Sequence, residues 1–249
     1  MGTVFSIEVR DDDLDAEILP PVLDRLAEID RCFSTYRPDS VISRLNRGEL
    51  ALPDAPVEVR QLLVECETWR QRTDGWFDVR CAGGIDPSGY VKGWAIRQAG
   101  DLLSAAGSKQ HCVNGGGDIQ ARSTPESPPW TFGVIDPADR DQVLATVTGT
   151  TVALATSGTA ERGAHVLDPF THRPPLSSLA SLTVVGGDIV ECDVLATAGF
   201  AMGDGALDWF SRRSSVRAFG AQAFAVQVFG VRADGSTFVT PATAESVPQ

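Results

Sequence analysis

The sequence predicts an α+β fold in which helices pack against mixed, largely antiparallel sheets. Two long segments carry apolar residues every three to four positions, which is the spacing of an amphipathic helix. Short apolar strand patterns follow one another between residues 130 and 156 and predict an antiparallel meander. A final alternating segment turns at residues 233–235 and predicts a closing hairpin. Neither a repeat nor a linker interrupts the chain, so we expect a single domain over residues 1–249.

The first third of the chain predicts one strand and three helices. Residues 3–10 alternate and predict the first strand. A long helix carries Pro20-Pro21 in its first turn, and a short one over residues 41–47 closes at Gly48. A second long helix runs from after Pro56 to about residue 72. The long helices are expected to bury Val22, Leu26, Ile29 and Phe33, and Val59, Leu62, Leu63, Cys66 and Trp69.

The next segment is the first that suggests ligand chemistry. Residues 76–79 predict extended backbone. Residues 85–93 predict a strand and a glycine turn that lead into a helix containing Trp94 and Leu103. Lys92 would then lie at a helix N-terminus, where unpaired N–H groups, the helix dipole and an ammonium together favour an anion. A solvated surface lysine would give the same pattern.

A run of three glycines lies in residues 114–119, directly after a strand expected at residues 111–113. Successive glycines allow positive φ angles or the close approach of a ligand. The run is not GxGxxG and no helical pattern follows it, so a Rossmann dinucleotide turn is rejected. On spacing alone, a glycine-rich hairpin turn is favoured.

Asp193 and Thr197 are the residues around which we organise the expected function. They follow a strand expected at residues 181–186 and lie on a helix over residues 190–203, at positions i and i+4 of one face. A carboxylate and a hydroxyl one turn apart form an oxygen pair that suits Mg²⁺. Taken alone, the pair is explained more simply by an acidic residue near the positive helix end and a threonine hydroxyl bonded to its own backbone.

Residues 157–169 gather several hydroxyl groups, the pair Glu161-Arg162, and His165, which is one of three histidines in the chain. Binding and catalytic residues are often found on such connections. Surface charges and a histidine that caps a strand explain the composition equally well. The residues alone leave this choice open.

The composition excludes several classes of protein. A formal net charge of −12 argues against binding to nucleic acid or to anionic membranes. There is no run of about 18 apolar residues that would span a membrane, and residues 1–7 lack the regions of a signal peptide. The five cysteines are widely spaced, which predicts reduced core residues. We therefore expect a cytoplasmic protein; an exported one would need a signal upstream of this sequence.

Nine short segments, taken together, point to a known family. They are Met1-Gly2-Thr3, Ser34-Thr35-Tyr36, residues 40–46, Phe77-Asp78, residues 86–93, residues 114–118, Ser157-Gly158 with Glu161-Arg162, residues 165–169 and residues 193–198. In this order they resemble the ApbE family of flavin transferases, also called FAD:protein FMN transferases. Each segment is a weak motif, but nine in order between residue 1 and about residue 203 form a strong match.

The resemblance implies an ApbE-like fold with FAD in a cleft between lobes. It also implies Mg²⁺-dependent transfer of FMN from FAD to a Thr or Ser hydroxyl in the flavinylation motif of an acceptor protein, with release of AMP. Asp193, Thr197 and the main-chain oxygen of Gly89 are similar to the metal ligands, and His165 is similar to the histidine proposed to act in the transfer. Positions that line FAD in the family match Met1, Tyr36, Trp76, Phe77, Asp78, Asp86, Lys92 and Leu167.

The sequence departs from the family around the expected flavin-ring pocket. The segment between Phe77-Asp78 and Asp86 is short, so part of one lobe is trimmed between residues 79 and 85. Val79 replaces a common proline, and His172 a common glycine. Two other functions stay open, namely hydrolysis of FAD to FMN and AMP, and flavin binding without turnover. A monomer and a dimer are both compatible with the sequence.

Overall fold

The computed structural model describes residues 2–159, 166–214 and 226–240. Its strands are β1 (Phe5–Val9), β2 (His111–Gly115), β3 (Asp118–Arg122), β4 (Trp130–Ile135), β5 (Val143–Gly149), β6 (Thr151–Gly158), β7 (Leu179–Gly186), β8 (Gln227–Arg232) and β9 (Thr237–Val239). Seven of them form one antiparallel sheet in the order β1-β2-β3-β6-β7-β8-β9, and β4 and β5 form a separate ribbon. The predicted α+β class with largely antiparallel sheets is therefore confirmed.

The α-helices of the described residues are α1 (Leu19–Phe33), α2 (Val41–Asn46), α3 (Val57–Arg72), α4 (Ser88–Ala105), α5 (Ile189–Met202) and α6 (Ala206–Ser214). α4 packs against β2 and β3, α5 packs against β3, β6 and β7, and the two helices cross each other. α1 covers α4 on the far side from the sheet. The main hydrophobic core lies between these layers.

Both predicted helical stripes are buried as expected. α1 buries Val22, Leu26, Ile29 and Phe33, and α3 buries Val59, Leu62, Leu63, Cys66 and Trp69. α5 goes further, because nearly every one of its side chains is buried between α4 and the sheet. A carboxylate on this helix is therefore held in an apolar environment.

The predicted start of α4 is wrong. A strand and a glycine turn were expected over residues 85–93, but the helix begins at Ser88. Asp86 Oδ1 accepts a hydrogen bond from the Ser88 N–H at 3.0 Å, which stabilises the first turn of the helix ahead of Gly89. Gly89 is consequently helical, and Lys92 lies in the second turn of α4, not at its N-terminus.

The prediction of extended backbone at residues 76–79 is also wrong. These residues form bends that lead into a turn at residue 79, because side chains supply local acceptors. Thr73 Oγ1 accepts from the Phe77 N–H at 3.0 Å, and Asp78 Oδ1 accepts from the Arg80 N–H at 2.8 Å. Such local hydrogen bonds compete with strand pairing.

The expected meander over residues 130–156 is only partly present. β4 pairs with β5, whereas β6 pairs with β3 and β7 in the main sheet. The ribbon packs onto the sheet through Val134, which shares an apolar cluster with Leu154 and Val185. Its loop can therefore reach over one end of the sheet.

The two predicted hairpins and the free cysteines are confirmed. Gly116 and Gly117 have φ angles of 65° and 94° and join β2 to β3. β8 and β9 form the closing hairpin, with Gly235 at a φ of 81°. All five cysteines are free. No helix in the described residues has the length and apolar character needed to span a bilayer.

Candidate functional site

A cavity of about 470 Å³ opens where the β2–β3 turn, the first turns of α4, the middle of α5 and the β4–β5 ribbon meet. Ten of the residues selected from the sequence lie in the described part of the chain, and all ten line this cavity. They are Tyr36, Trp76, Phe77, Asp78, Asp86, Gly89, Lys92, Leu167, Asp193 and Thr197. The other two, Met1 and His165, lie outside the described residues.

Asp193 and Thr197 face the cavity one turn apart on α5. Asp193 is only 3% exposed, and its Oδ2 accepts a hydrogen bond from the Gly93 N–H at 2.7 Å. Its Oδ1 has a looser contact, at 3.9 Å from Lys92 Nζ. Among the described residues, the Thr197 hydroxyl has no hydrogen-bond partner, so it is not bonded to its own backbone. The purely structural explanation of the pair therefore fails for Thr197.

Two glycines on α4 allow α5 to approach closely. A Cβ at Gly89 would lie 2.8 Å from Thr197 Oγ1, and a Cβ at Gly93 would lie 2.8 Å from the main-chain oxygen of Ile189. Real Cβ atoms essentially never come so close to other heavy atoms. Glycine at position 89 therefore leaves space beside the Thr197 hydroxyl that any other residue would fill.

The donor set fits a hard divalent cation. Asp193 Oδ1, Thr197 Oγ1 and the main-chain oxygen of Gly89 are all oxygens, which are the ligands that Mg²⁺ prefers. The described residues contain no group of three His, Cys, Asp or Glu side chains that could hold a metal. A cation at this site would therefore take a hydroxyl and a main-chain oxygen and leave further positions for a bound ligand.

Burial controls the protonation of Asp193. Desolvation raises the pKa of this carboxyl to about 8, the ammonium of Lys92 opposes the rise, and the charge of Asp118 adds to it. A divalent cation would lower the pKa again by favouring the charged form. Binding of a cation at Asp193 is consequently coupled to the release of a proton.

Lys92 and Asp118 form an ion pair at the floor of the cavity. Lys92 Nζ lies 2.7 Å from Asp118 Oδ2, and the Asp118 side chain is 1% exposed. Asp118 Oδ1 accepts a hydrogen bond from the Thr156 N–H at 3.1 Å. The ammonium is thus held between the carboxylates of Asp118 and Asp193.

Aromatic side chains form the outer part of the cavity. Tyr36 is 71% exposed and lies at the mouth. Trp76 meets Phe170 edge to face, with ring centroids 4.8 Å apart. Phe77 is buried, and its ring would touch a Cβ at Gly89, so it supports α4 from within. The cavity therefore combines an apolar, aromatic mouth with a charged floor.

Asn46 holds the short segment that carries Asp78 and Asp86. Its side-chain amide donates to the Ile85 carbonyl at 2.9 Å, and its Oδ1 accepts from the Ile85 N–H at 2.7 Å. Asp86 in turn caps α4. Asp86 is thus positioned by α2 through its neighbour Ile85.

Asp118 was not among the site residues predicted from the sequence. It lay in the glycine-rich stretch at residues 114–119 and in the segment 114–118 that resembles the family. The available signal was its place directly after the two turn glycines, which fixes it at the start of β3 beside the cavity. The loop of the β4–β5 ribbon was missed too; it lines the cavity with Asp136, Pro137 and Arg140.

The fold and the cavity define the class of this protein. It is an α+β protein with an antiparallel sheet, and its cavity joins aromatic side chains to a lysine and a set of oxygen donors. A sequence profile described as the ApbE family matches residues 1–83 and 80–219. The chain belongs to the ApbE family, which confirms the prediction from the nine segments.

Curated relatives carry a consistent name. A Vibrio cholerae serotype O1 protein named FAD:protein FMN transferase is 27% identical over 267 residues, which cover 82% of this chain and 80% of the relative. A Rhodobacter capsulatus protein of the same name is 32% identical over 167 residues, which cover 63% of this chain but only 30% of the relative. Both names agree with the predicted class of enzyme, a transferase.

Solved structures agree in fold. The flavin transferase ApbE from Vibrio cholerae superposes with a TM-score of 0.80 at 20% identity, covering 98% of this chain and 95% of that one. The ApbE protein from Thermotoga maritima gives a TM-score of 0.81 at 22% identity, covering 96% and 94%. At these identities the likeness establishes the fold.

Proposed function

We propose that this chain transfers FMN from FAD to a Thr or Ser hydroxyl of an acceptor protein and releases AMP, with Mg²⁺ bound at the cavity. The observation that carries the proposal is the group of Asp193, Thr197 and Gly89 oxygens beside Lys92 in one cavity. The names of the relatives support the choice of FAD as substrate and of a protein as acceptor.

The charged floor suits the diphosphate of FAD. The Asp193, Thr197 and Gly89 oxygens would hold the cation, which, when bound, neutralises charge on the phosphoryl oxygens. Lys92 presents an ammonium to the same region. This local positive charge is needed because the chain as a whole carries a net charge of −12 and repels anions.

The aromatic mouth suits the flexible, partly apolar remainder of the dinucleotide. Trp76 and Tyr36 offer ring faces and edges to a flat ring system. A cavity of about 470 Å³ is within the usual size of small-molecule sites, and its open end leaves part of a dinucleotide accessible to a second protein.

The transfer itself exchanges one oxygen for another at phosphorus. The acceptor hydroxyl oxygen forms a bond to the phosphorus of the FMN half, the bond from that phosphorus to the bridging oxygen breaks, and AMP leaves with the bridging oxygen. The hydroxyl is a weak nucleophile unless a base takes its proton. We assign this role to His165; Val166 and Leu167, which directly follow it in the sequence, line the cavity.

Intact-mass spectrometry tests the proposal. Purified protein, FAD and Mg²⁺ are incubated with candidate acceptor proteins that expose a Thr or Ser, and the expected result is the gain of one FMN mass by an acceptor. Asp193→Ala should remove this gain, whereas Asp54→Ala, an exposed residue away from the cavity, should retain it. Free FMN and AMP without a labelled acceptor would replace the proposal by FAD hydrolysis, and intact FAD throughout would leave flavin binding without turnover.

A further inference from the structure

The ammonium of Lys92 lies between Asp118 and the proposed metal ligand Asp193. A lysine ammonium lies 3.9 Å from Asp193 Oδ1, the same oxygen that a cation would need. Unrestrained, a flexible lysine beside a buried carboxylate would form a direct ion pair with it. Some other feature must hold the ammonium back.

Asp118 has the contacts to do so. Its Oδ2 is 2.7 Å from Lys92 Nζ, so the lysine is closer to Asp118 than to Asp193. Asp118 is itself fixed, since its Oδ1 accepts from the Thr156 N–H of the neighbouring strand. The β2–β3 turn precedes it directly, and the Gly117 N–H donates to Asn114 Oδ1 at 2.9 Å, which stabilises that turn.

We propose that Asp118 is a positioning residue that holds Lys92 away from Asp193 and so keeps one Asp193 oxygen available to a divalent cation. One oxygen of Asp118 is anchored to the sheet and the other binds the ammonium. Lys92 then stays close enough to act on a bound anion, while Asp193 Oδ1 keeps only the looser contact with the ammonium, at 3.9 Å. This role rests on the cation site of the proposed function.

The two carboxylates have different roles. Asp193 contacts α4 through the Gly93 N–H and keeps Oδ1 towards Lys92 and the cavity. Asp118 contacts the sheet and the lysine, and its side chain also shares a hydrogen bond with the side chain of Asp193. Without the negative charge of Asp118, the ammonium of Lys92 would turn to Asp193 and compete with the cation for its oxygen.

Binding of Mn²⁺ to the metal-free protein tests this directly, with free Mn²⁺ followed by electron paramagnetic resonance. Asp118→Asn keeps an acceptor for the Thr156 N–H but loses the charge, and we expect it to bind Mn²⁺ at least about tenfold more weakly, as for other residues that orient metal ligands. Adding Lys92→Met in the same chain removes the competing ammonium. This double variant should return to within about threefold of the wild-type affinity.

The matched control is Asp101→Asn, which removes a different ion pair. Asp101 Oδ1 lies 2.9 Å from the Arg122 guanidinium, and neither residue lines the cavity. It should bind Mn²⁺ as the wild type does. Unchanged Mn²⁺ affinity in Asp118→Asn would overturn the proposal. So would a double variant that binds as weakly as Asp118→Asn, or a wild type that binds no Mn²⁺.

If Asp118→Asn does not fold, as judged by circular dichroism, the double variant carries the test alone, because it loses both charges of the pair together. Wild-type affinity in that variant supports the proposal, and a loss of tenfold or more overturns it by showing that Asp118 is needed for more than restraining Lys92. The assay contains neither FAD nor an acceptor. A failure of FMN transfer therefore counts against the proposed function and leaves this result standing.

Discussion

At the scale of single residues, the site depends on a carboxylate kept in an apolar helix. Asp193 is surrounded on α5 by buried apolar neighbours, and burial raises its pKa. In most helices such a residue would be a defect. The raised pKa of Asp193 is consistent with a carboxylate whose negative charge is balanced by a bound cation when the protein functions.

The first residue-scale prediction concerns the proposed metal ligands. Asp193→Ala should lower FMN transfer by at least about 100-fold. It removes a proposed metal ligand itself, and the loss of a residue that only supports a ligand already costs about 10- to 100-fold. Thr197→Val should also lower transfer, but less, because it replaces a neutral hydroxyl group with a methyl group of similar size. The rate of acceptor labelling at saturating FAD, over a range of Mg²⁺ concentrations, measures both. Equal activity of Asp193→Ala and wild type at every Mg²⁺ concentration would refute the assignment.

The second residue-scale prediction concerns pH. The folded, metal-free protein holds the pKa of Asp193 near 8, and a cation must displace that proton. Affinity for Mn²⁺ should therefore rise with pH, by up to about tenfold per pH unit below the pKa, and level off above about pH 8. Titrations between pH 6 and pH 9 measure the slope. Thr197→Val should bind more weakly with the same slope, and a flat wild-type profile would contradict the prediction.

At the scale of elements, the crossing of α4 and α5 creates the site. Gly93 lets the two helices approach so closely that a Cβ at this position would lie 2.8 Å from the main-chain oxygen of Ile189. The backbone oxygen of Ile189 cannot rotate away, unlike the end of a flexible side chain. The separation of the helices is therefore set by glycine.

Gly93→Ala should lower the free energy of unfolding by about 1–3 kcal/mol through overpacking. Alanine is a better helix former than glycine, so the substitution would raise the free energy of unfolding if α4 and α5 were not tightly packed at Gly93. Urea unfolding measures the change. Gly187→Ala is the matched control, because no atom lies within 4 Å of a Cβ at that glycine, and it should change stability by less than about 0.5 kcal/mol. A Gly93→Ala protein as stable as that control would show that the helices can separate freely.

Some elements of the fold could be predicted from the sequence and others could not. The stripes of α1 and α3 were predictable residue by residue, because burial on one face imposes a helical period on the apolar residues. The start of α4 was not, because Gly89 resembles a turn residue until the packing of α5 is known. Asp118 was not selected, since only the packing of α4 against β3 brings it to Lys92. Packing between elements that are distant in the chain leaves no local mark in the sequence.

At the scale of the whole molecule, stability should depend on pH through a buried histidine. His111 is 1% exposed, its Nδ1 lies 3.0 Å from Ser108 Oγ, and Ser108 Oγ donates to Asp11. Burial lowers the pKa of His111, and the charge of Arg122 lowers it further. The neutral imidazole therefore contributes stability above its ordinary pKa of about 6.5, and this contribution is lost as the pH falls through the lower folded-state pKa.

The unfolding free energy should thus decrease between pH 7 and pH 5, and the decrease should be smaller in His111→Gln. His172→Gln, at an exposed histidine, is the control and should follow the wild type. Urea unfolding at each pH measures the difference. If His111→Gln and wild type lose the same free energy over this range, the buried histidine does not cause the acid sensitivity.

At the scale of the whole molecule, α4 and α5 also bring Gly89, Asp193 and Thr197 to one cavity, where we propose that they bind the cation. The most direct test is a crystal structure of the protein with FAD and Mn²⁺, in which anomalous scattering locates the cation. We predict a peak within bonding distance of Asp193 Oδ1, Thr197 Oγ1 and the Gly89 carbonyl oxygen, next to the diphosphate of FAD. A peak elsewhere, or FAD bound away from α4 and α5, would contradict this account.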